Sequence, residues 1–225
     1  MKGVIVPEIF GGGITAFFTG KAVGADRCEI GRIAGIAPEA VYLPIQKHTD
    51  RIIFLSAARE PGIGDAVITR EKGVLVGVQV ADCVPVLVHE KGKKVVAAVH
   101  AGWRGTASAI VKKTVEAILD RYAGEIKDIV VAIGPAIGGC SYEVGGEVVD
   151  AVGRATGEGG YYSRKGEKYY LDLPSANRQQ VLSLGVPPAN VWVSPECTFC
   201  APDRFYSYRF SKGVAGRQGG FIGLL

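Results

Sequence analysis

Residues 95–105 read VVAAVHAGWRG, and this stretch restricts the fold more than any other in the chain. Val95, Val96 and Val99 are β-branched, which suits a central strand. Ala101-Gly102 then offers a small, permissive corner before Trp103-Arg104-Gly105. Beyond it, Ile110, Val111, Val115, Ile118 and Leu119 recur at three- and four-residue steps, so the spacing predicts a helix over 106–122. Strand, tight turn and helix therefore follow one another, with His100 and Arg104 at the junction. In α/β proteins ligands gather at such junctions, outside the strand's carboxyl end and at the helix's amino end. The competing reading of the same residues is a buried histidine and a surface arginine.

The remaining pattern is richer in strands than in helices. Strands are expected over 4–10, 14–19, 51–55, 66–69, 74–80, 129–133, 191–193 and 205–210, with 84–89 continuing extended beyond Ala81-Asp82-Cys83. Residues 90–94, with a glycine and three lysines, read as a hairpin-like turn. Helices are expected over 25–37, 145–155 and 173–184, the last starting near Pro174 or Ser175. Residues 157–166 read as an exposed, glycine-rich loop, and 216–225 simply end the chain. Several strands follow one another with no helix between them. That favours an α/β protein with mixed sheets and helices packed outside, rather than a doubly wound parallel sheet. A chain of 225 residues without repeats or linkers is read as one domain, 1–225.

Charge and cysteine usage narrow the function classes. The net charge of +4 is mild and the basic residues are scattered, so neither nucleic acid nor a membrane surface is an expected partner. A small anionic substrate fits this balance. Five cysteines, an odd number, argue against a disulfide framework and for a cytoplasmic protein with reduced thiols. The amino terminus lacks the pattern of a signal peptide, and no apolar run is long enough to span a membrane.

Chemistry concentrates on few residues. Of three histidines, His48 and His100 end apolar strands, while His89, beside Glu90 and the lysine-rich turn, reads as solvated. Cys83 also sits at a strand end. Two imidazoles and one thiolate suit zinc or copper and leave a fourth position for water, whose pKa such an open site lowers to about 7. The alternative is a buried structural cysteine with two unrelated histidines.

Four stretches together resemble the YfiH family of laccase-domain or polyphenol-oxidase-like proteins. They are Gln46-Lys47-His48, Ala81-Asp82-Cys83-Val84-Pro85-Val86, Val99-His100-Ala101-Gly102-Trp103-Arg104-Gly105, and Gly134-Pro135-Ala136-Ile137 with Cys140-Ser141-Tyr142-Glu143-Val144. Cys197-Thr198, Phe205-Tyr206-Ser207-Tyr208-Arg209 and Gly216-Arg217 extend the similarity, which covers residues 41 to 225. The resemblance implies a four-layer α/β/β/α sandwich with His48, Cys83 and His100 as metal ligands, zinc ahead of copper. It implies phosphorolysis of adenosine, inosine and methylthioadenosine, and adenosine deamination, with purine nucleosides and phosphate as partners. A monomer is expected. The chain departs from the family at its front, where 19–37 is compressed and Gly20-Lys21 replaces a Thr-Arg step, and at Thr49, where glycine is usual.

Other residues carry two readings each. Arg104 is a candidate catalytic and phosphate-binding group, since its planar donors match phosphate, or else a structural ion pair. Asp82, the second catalytic candidate, points away from Cys83 if the strand continues, and then supports the site without acting as its base. Gln46, Cys140 and Arg209 are candidate substrate contacts, although Cys140 also reads as a small buried thiol and Arg209 as a surface group. Cys197 and Cys200 form a lone C-x-x-C, a weak zinc or redox signal. Three rival functions remain: a single-copper phenol oxidase, a cysteine hydrolase using Cys83 or Cys140 with His100 as base, and a non-catalytic nucleoside-binding module. Only Met1 could be an axial methionine, and three histidines cannot build a multicopper cluster.

Overall fold

A computed structural model describes residues 3–56 and 60–225. The chain opens with β1 (Val4–Ile5), β2 (Thr15–Thr19), α1 (Arg27–Ala34), β3 (Val41–Tyr42), β4 (Ile52–Phe54), β5 (Ala66–Thr69) and β6 (Leu75–Val80). It continues through β7 (Val84–Glu90), β8 (Val95–Ala101), α2 (Trp103–Ala107), α3 (Ile110–Tyr122), β9 (Ile129–Ile133) and β10 (Glu143–Val144). Then come α4 (Gly146–Thr156), β11 (Tyr162–Lys165), β12 (Lys168–Leu171), α5 (Leu173–Ser183), β13 (Val191–Val193) and β14 (Gln218–Gly223).

Two mixed sheets are stacked. The first has the order β1-β2-β14-β6-β3, the second β13-β9-β7-β8-β5-β4, and β10-β12-β11 form a small third sheet. The parallel pairs are β3 with β6, β4 with β5 and β9 with β13; the remaining pairings are antiparallel. Period-two alternation explains the layering even where the sequence is apolar throughout. On β8, Val95, Ala97 and Val99 face α3 and share one core cluster with residues of α4 and α5, while Val96 and Ala98 face the first sheet with Val76, Val78 and Phe18. The outer face of the first sheet, with Phe17, Leu75 and Phe221, is covered by Ile30 of α1. The result is the mixed α/β/β/α arrangement that the resemblance implies.

Local chemistry accounts for the helix ends. Asp26 caps α1 by accepting from the Cys28 and Glu29 N–H groups at 2.9 and 3.2 Å, and Gly35 closes it at φ 71°. Asp172, rather than Ser175, caps α5.

Four expectations are corrected. Residues 84–89 are extended as expected, within β7, but not as a continuation of β6: the chain bends at residues 81–83 and enters the other sheet, pairing β7 with β8 and β9. The helix expected over 106–122 begins at Trp103 and is broken at Ala109, whose φ of 55° ends α2 and starts α3. Residues 205–210 are not a strand. Phe205 and Ser207 are buried as the alternation suggested, but the Tyr206 N–H goes to Gln218 Oε1 and the Arg209 N–H to Asp82 Oδ2. Side chains take the bonds that a neighbouring strand would have made. Finally, His89 is buried, not solvated: it is 7% exposed, and neither ring nitrogen has a partner among the described residues.

The glycine-rich end of the chain is the central strand of the first sheet. β14 lies between β2 and β6. A Cβ on Gly220 would come within 2.9 Å of the Phe18 ring and 3.1 Å of Pro85 Cβ, so glycine permits the two sheets to approach there.

Candidate metal centre

The chain crosses from the first sheet to the second between β3 and β4, where His48 lies, and between β6 and β7, where Cys83 lies. His100 stands near the end of β8, beside the start of β7 through the antiparallel pair Pro85–His100. These three residues, 35 and 17 positions apart, thus meet at one end of the sandwich. Their ligand atoms all lie within 4.8 Å of one another, with Cys83 Sγ 4.0 Å from His48 Nε2. His48 is exposed, Cys83 half-buried and His100 buried. Gly102 makes the meeting possible, because a Cβ there would stand 2.9 Å from Cys83 Sγ.

Asp65 organises the cluster. It is fully buried and accepts from His100 Nδ1 at 2.8 Å, from the Lys47, His48 and Thr49 backbone N–H groups, and from Thr49 Oγ1 at 2.7 Å. These bonds hold His48 in the left-handed region, at φ 57°, and leave His100 Nε2 as the nitrogen available to a cation. Thr49, a departure from the family pattern, adds a hydroxyl donor that glycine lacks.

The electrostatics follow from this wiring. Burial works against the Asp65 charge, yet His100 and Thr49 hold its carboxyl well below the usual carboxylate range. Desolvation also opposes ionisation of Cys83 and His100, but the imidazoles of His100 and His48 bring the Cys83 thiol down to about 6. Asp65 and Cys83 raise His100 to about 9. A thiolate beside two imidazoles is a donor set that fits a borderline-soft cation such as zinc.

A cavity of about 670 Å³ opens over the cluster. Its lining includes Gln46, Asp82, Arg104 and Arg209 with the three candidate ligands, as well as Tyr142 and Arg217. Cys140 lies outside this lining and is exposed, not buried. Asp82 is left-handed at φ 84° and has its oxygens occupied: Thr198 Oγ1 and the Arg209 N–H each donate to it at 2.7 Å. The Gln46 amide is likewise engaged, bonding the Gln79 carbonyl and N–H, both at 2.8 Å.

Three guanidinium groups face the cavity. Arg104 lies 4.4 Å over the Trp103 ring, Arg209 donates to the Glu143 carbonyl, and Arg217 to those of Ala215 and Gly216. None pairs with a carboxylate side chain among the described residues. Burial, with the Cys83 charge adding to it, pushes the Tyr142 phenol up to about 12.

The reading of the sequence missed Asp65, placing it only at the end of a turn. Its one signal was a lone acid directly ahead of an apolar strand. Tyr142 and Arg217 stood in the quoted motifs, but without a role.

Comparison with known proteins agrees with this architecture. YlmD from Geobacillus stearothermophilus superimposes with a TM-score of 0.90 at 31% identity, covering 99% of this chain and 96% of that one. YfiH from Bacillus licheniformis does so with 0.89 at 28% identity, over 94% and 93%. A protein of Bacteroides thetaiotaomicron named purine nucleoside phosphorylase is 39% identical, over 80% of this chain and 72% of its own length. One of Aquifex aeolicus with the same name is 41% identical, over 77% and 78%. A protein of an unknown prokaryote named adenosine deaminase RL5 is 34% identical, over 78% and 71%. A family model described as multi-copper polyphenol oxidoreductase laccase matches residues 19–225, and to that family this chain belongs.

Proposed function

We propose that the protein is a zinc-dependent purine nucleoside phosphorylase that also deaminates adenosine. One observation carries the reading: three arginines with no carboxylate partner among the described residues line the same cavity as the His48–Cys83–His100 cluster. Relatives named for both activities support it.

In phosphorolysis the bond between the purine and the ribose anomeric carbon breaks, and a phosphate oxygen bonds to that carbon. The purine leaves with the bonding electron pair. Arg104 and Arg217 hold the phosphate, since planar guanidinium forks match its oxygens. Arg209 is fixed by Glu143 and by its own N–H to Asp82, so Asp82 is a positioning residue. Tyr142 stays a neutral phenol and presents its ring to the cavity, with the Arg209 guanidinium 5.1 Å from the ring centre. Fixed donors of this kind stabilise the charge that develops between sugar and leaving base. A zinc ion, when bound by His48, Cys83 and His100, supplies Lewis-acid polarisation.

Incubation of the purified protein with adenosine, with and without phosphate, tests the reading. Phosphate-dependent release of adenine supports phosphorolysis, and phosphate-independent inosine supports deamination. Arg104→Ala should raise the KM for phosphate about tenfold or more, the loss of one charge-assisted contact, while inosine formation changes little. Oxygen uptake with phenols by the copper-loaded protein, and no nucleoside turnover with any metal, overturns the assignment.

A further inference from the structure

A second cluster of metal-binding side chains lies outside the cavity. Cys140, Cys197 and Cys200 have their sulfurs within 4.8 Å of one another, at 3.6 Å for Cys140–Cys197 and 3.5 Å for Cys140–Cys200. We propose that these three thiols form a second metal site, one that takes a thiophilic d10 cation, zinc first, as a structural ion.

Several independent features converge on it. Four thiolates around zinc at about 2.3 Å stand about 3.8 Å apart at tetrahedral angles, close to the spacing found here. Ser141 Oγ lies 3.4 Å from Cys140 Sγ and 3.3 Å from Cys200 Sγ, which adds a polar group beside the sulfurs, and water can fill the fourth position. The Gly138 N–H donates to Cys197 Sγ at 3.3 Å. Such an N–H donor stabilises a ligand in its thiolate form. Cys197 and Cys200 are the C-x-x-C pair, closed by the Ala201 N–H to the Cys197 carbonyl at 3.2 Å. The third thiol comes from the 134–142 segment, which a bridge between Ala136 and Cys197 holds alongside. The lone pair of cysteines read from the sequence thus acquires its missing partner from a loop 57 residues away.

Position gives the site a purpose. Its two loops leave the carboxyl ends of β9 and β13, parallel neighbours in the second sheet. Both also grip Asp82: the Ile137 N–H donates to its carbonyl at 3.0 Å, and Thr198 Oγ1 to its carboxylate. An ion here ties together the loops that bring Tyr142 and Arg209 to the cavity. Binding releases thiol protons to solvent and changes no oxidation state.

The test is metal content per chain of the full-length protein, grown with zinc and purified without chelator, measured for zinc and copper. The wild type should hold about two ions. His48→Ala should hold about one, and with cobalt should show strong sulfur-to-metal absorption in the near ultraviolet. Cys200→Ser, at an exposed position, should also fall to about one, and His48→Ala/Cys200→Ser to none, without that absorption. Copper lost with Cys200 keeps the site and overturns zinc. Cys200→Ser holding as much metal as wild type overturns the proposal. So does a wild type two hydrogens lighter than expected, with Cys140 and Cys200 cross-linked, which marks a redox pair. Loss of the first site alone leaves a wild type whose single ion depends on Cys200 and not on His48.

Discussion

Asp65 has no room for a different acceptor. Its two oxygens serve three backbone N–H groups, one hydroxyl and one imidazole, all inside the protein. Asp65→Asn replaces an ionised acceptor by an amide with one accepting oxygen. Losing charge-assisted bonds of this kind costs about 2–3 kcal/mol, which a urea midpoint will register. Orienting partners of metal ligands contribute about 10–100-fold in affinity, so competition with a chelator should show zinc held at least tenfold more weakly. Unchanged zinc affinity would mean that Asp65 only builds the turn. The contrast with the cluster is instructive: His48, Cys83 and His100 stood out as candidates because histidine and cysteine are rare here and each ends an apolar run. Asp65 is one of 22 acidic residues, and its bonds to His100 and to the backbone around His48, which give it its role, are a property of the fold.

At the level of elements, legibility followed hydrophobic contrast. The strands over 66–69, 129–133 and 191–193 match expectation to the residue, because apolar runs are bounded there by turn residues. β14, Gln218-Gly-Gly-Phe-Ile-Gly, has little strand propensity, yet it is central because two sheets press together where side chains would obstruct. Gly220→Ala should therefore destabilise by about 1–3 kcal/mol, the cost of overpacking a filled core, despite the usual gain from replacing glycine. A raised thermal midpoint would show that Phe18 moves aside freely. The break at Ala109 was hidden for the opposite reason. Alanine is a strong helix former, and its left-handed backbone is imposed by the packing of α2 and α3.

For the molecule as a whole, the response to acid depends on a group in the space between the sheets. His89 lies there, against the edge of Phe10. Burial lowers its pKa from the ordinary 6.5, with Lys91 adding and Glu90 opposing. A base with a depressed folded pKa contributes fully above its unfolded value and costs stability as pH falls below about 6.5. His89→Leu should narrow the difference in thermal midpoint between pH 7.5 and pH 5.5. An equal difference in both proteins would place the acid sensitivity elsewhere. Mixed sheets with helices outside were legible from strands that outnumber helices and crowd together, and the four layers came from the family resemblance; the crossing at residues 81–83 was legible from neither, since nothing in Ala-Asp-Cys announces a change of sheet. That crossing has a consequence for how such a protein can diversify. Gln46 and Gln79 line the cavity from the side of the first sheet, whereas Asp65 and His100 hold the histidine–cysteine corner to the second. The polar wall of the cavity and the anchor of the histidine–cysteine cluster thus occupy separate storeys, and a lineage can redecorate one while the other stays as it is.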